Sequence, residues 1–274
     1  VTARTLTLSL FLLLAGCKAS LGEVTSHPVQ VPASKDLRLI QIQLPVSDSF
    51  IVTGGSAQAM EGIVTTNVPD LAPKVSESGN VRKFVQRLPS GRTLPDGAQN
   101  TWNLRLGPTT PILLDIGGGV LKGDMSLGGL SLVGLNLGVG VSAPKIHFDQ
   151  PNRSDMKEIT INAGAGECQI TGLGNAQPQK LKIEGGAGTL DLDFSGTLRR
   201  TVQGEITGGV GAVTLTLPKS VPARLQVETG IGAVTAPGFA VSGQTYTSPG
   251  FAEDKPHWDL KLEVGVGAVA IQAR

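Results

Sequence analysis

The chain reads as an all-β, Gly-rich layered repeat, a solenoid-like stack of short strands. Three observations predict this. Glycine is abundant, at 37 of 274 residues, alongside many Val, Ile, Leu and Thr and almost no long helical pattern. A regularly spaced Gly-x-Gly unit returns seven times, at Gly117/Gly119, Gly138/Gly140, Gly164/Gly166, Gly186/Gly188, Gly209/Gly211, Gly230/Gly232 and Gly265/Gly267. Five of the six spacings between units fall between 21 and 26 residues, and the last is 35 because of an insertion around Pro237–Pro256.

Aligning the units on their first glycine gives columns. Three residues before it stand Leu114, Leu135, Ile161, Ile183, Ile206, Val227 and Leu262; four after it stand Leu121, Ser142, Cys168, Leu190, Val213, Val234 and Val269. The residue between the glycines (Gly118, Val139, Ala165, Ala187, Val210, Ile231, Val266) shares the parity of the first column, so it is expected to face inward with it. The later column has the opposite parity. One residue of phase is therefore lost just after the second glycine, where a bulge or sharp bend keeps apolar side chains inward on both sides. A second, mostly polar column (Asp115, Asn136, Asn162, Glu184, Thr207, Glu228, Glu263) is expected on the wet face. Stacking covers what each unit cannot bury alone. Seven rungs at about 4.8 Å would span roughly 30 Å.

Upstream, the chain divides into further segments. Residues 1–16 form a signal peptide: Arg4 supplies a short basic region, Leu6 to Leu14 an uncharged apolar run, and Leu14-Ala15-Gly16 precede Cys17. The run is too short to span a membrane. Ending in Leu-Ala-Gly-Cys, it resembles the bacterial lipobox, which implies acylation of Cys17 and anchoring by two or three acyl chains. Lys18 rather than aspartate follows the cysteine, which points to the outer membrane if the cell has two. Residues 17–35 read as the acylated cysteine and a tether, 36–100 as an N-terminal β segment, and 101–274 as the repeat stack. Val81 to Leu88 is read as a strand.

Charge and cysteine count narrow the partners. Loss of residues 1–16 removes Arg4 and no acid, leaving 22 basic residues against 22 acidic ones. A near-neutral body argues against nucleic acid or an anionic membrane surface as partner. With Cys17 acylated only Cys168 remains, so no internal disulfide can form; its column is apolar, and a buried small hydrophobe fits better than a nucleophile.

The repeat columns resemble the bacterial toast-rack family and related adhesin-type repeat proteins of the cell envelope. The resemblance is carried by Trp102-Asn103-Leu104, Ile112 to Gly117, Leu135 to Gly140, Ile161 to Gly166, Leu192 to Gly196 and Gly209 to Val213, with Val52 to Gly55 and Asn67 to Asp70 upstream. It covers roughly Leu37 to Arg274. It implies a layered β-fold and an envelope role, in some members tied to cell-wall stress, and it supplies no catalytic residues.

No catalytic constellation is expected. The glycine units lack the last glycine of Gly-x-Gly-x-x-Gly and no helices alternate with the strands, which excludes a dinucleotide loop. His27, His147 and His257 are isolated, so no metal is expected and no cofactor either. Ser195 in Phe194-Ser195-Gly196 reads as a turn. Glu184, Glu228 and Glu263 could bind Ca²⁺ or cleave a glycan, but a solvated face is the simpler reading; Trp102, Trp258 and Tyr246 are few for sugar platforms. The expected function is a lipid-anchored, non-catalytic scaffold, adhesin-like or ligand-binding module. Its partners would be the membrane, through the anchor, and a cell-wall glycan or an envelope protein. The alternatives are a polysaccharide-active enzyme on the stacked sheets and an accessory protein in envelope-stress signalling.

Overall fold

The computed structural model describes residues 17–274; the signal peptide expected over 1–16 lies outside the described residues. In chain order the strands are β1 (Cys17–Lys18), β2 (Thr25–Val31), β3 (Leu39–Gly54), β4 (Met60–Thr66), β5 (Lys74–Ser78), β6 (Val81–Val85), β7 (Arg92–Thr93), β8 (Asn100–Leu106) and β9 (Ile112–Ser126). They continue as β10 (Leu132–His147), β11 (Met156–Thr171), β12 (Pro178–Asp193), β13 (Val202–Leu217), β14 (Ala223–Thr235), β15 (Ala240–Ser242), β16 (Thr245–Thr247) and β17 (Trp258–Ala273). A short α-helix, α1 (Leu173–Ala176), sits in the turn after β11, and a 3-10 turn spans Pro69–Leu71.

The long strands stack in parallel in the order β3, β9, β10, β11, β12, β13, β17, β14. A straight 15-residue strand such as β9 would run about 50 Å. The five residues 127–131 that join it to β10 reach only about 20 Å, yet Leu132 lies beside Ile112. Each strand must therefore double back into two arms, with the glycines at the fold.

Burial follows this geometry. In the first arm Ile40, Leu114, Leu135, Ile159, Leu181, Leu260 and Leu225 form one buried column, completed by Gly204. Ile42, Ile116, Leu137, Ile161, Ile183, Ile206, Leu262 and Val227 form the next. In the second arm Val52, Met125, Ile146, Ile170, Leu192, Leu215 and Ile271 do the same. Apolar side chains from both arms make one continuous core.

The structure corrects five expectations. The stack has eight long strands, because β3, within the segment 36–100, pairs along β9. The last strand is not last in space: β17 inserts between β13 and β14, and the 35-residue spacing is the return path through hairpin β15–β16. The columns of the first two units are displaced by two residues, since Gly140 lies level with Gly164 and Ser142 pairs Gly166. The physical reason is steric. A Cβ on Gly117 or Gly138 would meet nothing within 4 Å, whereas one on Gly140 would lie 2.8 Å from the Gly119 carbonyl oxygen, so Gly119 and Gly140 are the true corner glycines. Fourth, the residue between the corner glycines points outward, not inward.

The fifth concerns residues 18–35, which are not a free tether. β2 pairs antiparallel with β4, and Val29 and Val31 are buried against the core. Ala19 is buried too and donates its N–H to the Thr93 carbonyl. Alternation of apolar residues makes β2 a strand, and Pro28 is tolerated because β2 is the edge of the sheet. Val81–Val85 is a strand as expected, between β3 and β5.

Candidate functional site

Two surfaces run the length of the stack: the fold of the strands and the outer face of the first arm. At the fold, two ladders of residues cross the rungs. Gly164, Gly186, Gly209, Gly265 and Gly230 form one, and a Cβ on any of them would run into the carbonyl oxygen of a glycine on the neighbouring rung. Gly166, Gly188 and Gly211 belong to the other, with φ of +123°, +134° and +140°. Side-chain-bearing residues are strained at such φ and would also strike the adjacent carbonyl. Here the phase is lost, at the first glycine of each pair and not just after the second as the sequence pattern suggests.

Between the ladders lies one residue per rung: Val46, Val120, Val141, Ala165, Ala187, Val210, Val266 and Ile231, level with one another from end to end. Ala165, Ala187, Val210, Val266 and Ile231 were expected inward, as was Val139, which is buried. The row stands on the outside of the bend, where a residue midway through a reversal must point away from both arms. Val141 is 53% exposed, Val210 58%, Val266 43% and Ile231 72%. The result is an aliphatic ridge roughly 34 Å long, bordered by glycine backbone. Sequence reasoning missed it by counting parity straight through the first glycine. The unbroken Val/Ala/Ile identity of the column was the available signal.

The outer face of the first arm is charged. Glu184 and Glu263 do not adjoin, because Thr207 lies between them; Glu263 and Glu228 do, through the insertion of β17. Lys182 Nζ lies 2.8 Å from Glu184 Oε1. That hydrogen bond, with Glu205 and Glu158 nearby, holds the Lys182 ammonium above its ordinary pKa. Lys261 is bonded to Glu263 in the same way, with Glu228 and Glu205 near, and its pKa is likewise raised. Arg224 grips Asp259 through two hydrogen bonds of 3.1 and 3.0 Å and reaches Glu253 at 2.7 Å. The carboxylates proposed for Ca²⁺ or glycan chemistry thus lie in a lattice of alternating charge. A shallow groove of about 440 Å³ crosses this lattice, lined by Lys180, Lys182, Glu205, Asp259 and Lys261 among others.

The remaining residues singled out from sequence occupy structural places. Cys168 is buried beside Leu190, and burial pushes its thiol up to about 12. Among the described residues no cluster of His, Cys, Asp or Glu could hold a metal ion. His257 is buried and hydrogen-bonds the Lys255 carbonyl at 2.7 Å. Ser195 caps a turn, its N–H donating to Asp193 Oδ1. Trp102 and Trp258 are core residues, the latter edge-on to Phe194 at 4.9 Å, so neither offers a face to a sugar. Cys17 lies at the start of β1, paired in register with Arg92.

Fold and surface together define a β-repeat protein built on doubled strands, with a charged ladder on one face and an aliphatic ridge at the fold. The model of the N-terminal domain of toast_rack, DUF2154, matches residues 30–171 and 152–216. The chain belongs to the toast-rack family. Among solved structures it is similar to a candidate cell adhesion protein from Clostridium sporogenes, at 20% identity and TM-score 0.50, over 92% of this chain and 100% of that one. It is also similar to a candidate adhesin from Bacteroides fragilis, at 12% identity and TM-score 0.39, over 93% and 100%. A third, a candidate lipid binding protein from Parabacteroides distasonis, is 10% identical with TM-score 0.40, over 91% and 97%. No curated protein matches the chain.

Proposed function

We propose that this protein is a lipid-anchored, non-catalytic module of the bacterial cell envelope that works by contact, as an adhesin-like scaffold. The observation that carries the reading is the ridge. A continuous aliphatic strip on a soluble-type β-stack has no role in its own core, and exposed apolar strips of this extent mark interaction surfaces. The adhesion role named for the Clostridium sporogenes structure accords with it. Among the described residues no helix is long and apolar enough to cross a membrane, and attachment is assigned to the acylated Cys17. Because Ala19, Val29 and Val31 are packed, little free chain separates Cys17 from the body, and the end bearing β1 and β7 faces the membrane. The contact partner is a cell-wall glycan or an envelope protein.

Two experiments test this. A fatty-acid probe should label the wild type in cells and not Cys17→Ser; equal labelling of both ends the anchoring claim. Cys17→Ser protein, which lacks the lipid, should co-sediment with isolated cell envelope and lose that binding when Val210→Lys is added, a side chain that lies outside the core. Release of glycan fragments by the wild type, abolished in Glu228→Gln, would replace the contact reading with the polysaccharide-active one.

A further inference from the structure

We infer that the second arm of β14, residues Gly230–Thr235, is a docking edge for the same edge of a second copy of this chain. The stack offers four arm ends, two at each extremity. At the β3 end the first arm is covered by β6 and β5, and the second by β8, β4 and β2. At the β14 end the first arm is covered by β16 and β15. The second arm of β14 is not: beyond Val227, whose N–H reaches the Gln244 carbonyl, β14 pairs only with β17 among the described residues. Gly230, Ile231, Gly232, Ala233 and Thr235 are all exposed.

Edges left open are ordinarily blunted by charge, proline or a bulge. This one carries Gly-Ile-Gly-Ala-Val-Thr, with no charge and no proline before Pro237. The sequence also says what fits against it. Gly209-Val210-Gly211-Ala212-Val213 and Gly265-Val266-Gly267-Ala268-Val269 are near copies of it, and they lie side by side in the stack. The established partner of a Gly-x-Gly-Ala-Val arm in this molecule is therefore another such arm. The one still open in a second molecule is its own β14. Two identical edges meet about a twofold axis, so the pairing is antiparallel and isologous. Lack of charge means that like faces like without repulsion.

This deepens the contact reading above by naming a partner, and it rests on that reading only for the membrane geometry. Joining two β14 edges makes one stack of sixteen rungs, roughly 70 Å long. The ends bearing β1, and with them the anchors, then lie at opposite extremities, so the two copies are anchored in facing membranes.

The test is cross-linking of the full-length chain in cells with a short bis-maleimide. Ala233→Cys lies within a residue of the axis and Thr235→Cys within three, and each should give a covalent dimer. Val210→Cys, on the ridge but in an interior rung, should give none. In detergent solution Ile231→Lys should weaken self-association about ten-fold or more, and mixing it with Ile231→Glu should restore pairing. No dimer from either edge cysteine overturns the proposal. So does equal cross-linking of Val210→Cys, which would place the contact along the ridge. Loss of the fatty-acid label requirement at Cys17 would strike the anchoring alone.

Discussion

The early rungs of the stack, β3, β9 and β10, and the later ones, β11 to β14 with β17, make the same reversal by different means. In the later rungs both corner positions are glycine, and Gly166, Gly188 and Gly211 hold φ between +123° and +140°. In the early rungs the second position is Ser47, Leu121 or Ser142, all buried, and none has positive φ. The first position is Pro45, Gly119 or Gly140. The comparison teaches that the bend itself does not demand two glycines. What demands them is the approach of one rung to the next, which in the later rungs leaves no room for a Cβ against the adjacent carbonyl. Where the second residue turns inward, a side chain of moderate size fits.

Substitutions that swap the two solutions put this to the test. The largest effect is expected for Gly211→Val, which combines a forbidden φ with a collision against Gly188 O. The strain and overpacking together should cost about 2–6 kcal/mol in urea melts. A loss below about 1 kcal/mol would mean that the late corner is no tighter than the early one.

Next comes the pH dependence carried by Cys168. Its thiol is held neutral, with a pKa of about 12 against 9.0 when exposed. Below pH 9 both states are protonated and the group has no effect on stability. Between 9 and about 12 only the unfolded state loses the proton, so stability should fall by about 1.4 kcal/mol per pH unit. Cys168→Ala should flatten that part of the profile. A native-state thiol that reacts at once at pH 8 would place Cys168 outside the core.

Gly140→Ala probes the early corner. Its Cβ would sit 2.8 Å from Gly119 O with ordinary φ, so a small backbone shift should suffice, at about 1–2 kcal/mol. Ser142 Oγ is buried without a hydrogen-bond partner, so Ser142→Ala should stabilise, by about 1 kcal/mol. Thr214→Val, on the outward parity of β13, should change stability by less than about 0.5 kcal/mol. If Gly140→Ala proved as costly as Gly211→Val, the early and late corners would be equivalent after all.

Much of the architecture was legible in the amino-acid sequence. Period and composition showed the all-β stack, a loss of phase within the Gly-x-Gly unit, the apolar place of Cys168 and the absence of a Gly-x-Gly-x-x-Gly loop. Aligning on the first glycine of each pair misled for the first two units. Gly117 and Gly138 look like Gly164 in sequence, but they have open space where a Cβ would go. The packed β2 segment was hidden because Pro28 and Pro32 resemble linker punctuation.

What the sequence determined by itself was which residues share a face within each straight arm, because strand alternation is a local property of the chain; the face of the residue between the corner glycines was decided only by the bend. Which rung lies against which was decided only by tertiary structure. Every rung carries the same hydrogen-bonding edge, so the ladder alone does not distinguish β14 from β17 as the neighbour of β13. Side-chain volume does. Trp258 of β17 stands beside Val202 and packs edge-on to Phe194, 4.9 Å away, filling a space that Ala223 at the matching place in β14 is too small to occupy. That choice moves β14 to the outside. It brings Glu228 next to Glu263, carries the ridge on to Ile231, and leaves the edge at Gly230–Thr235 open.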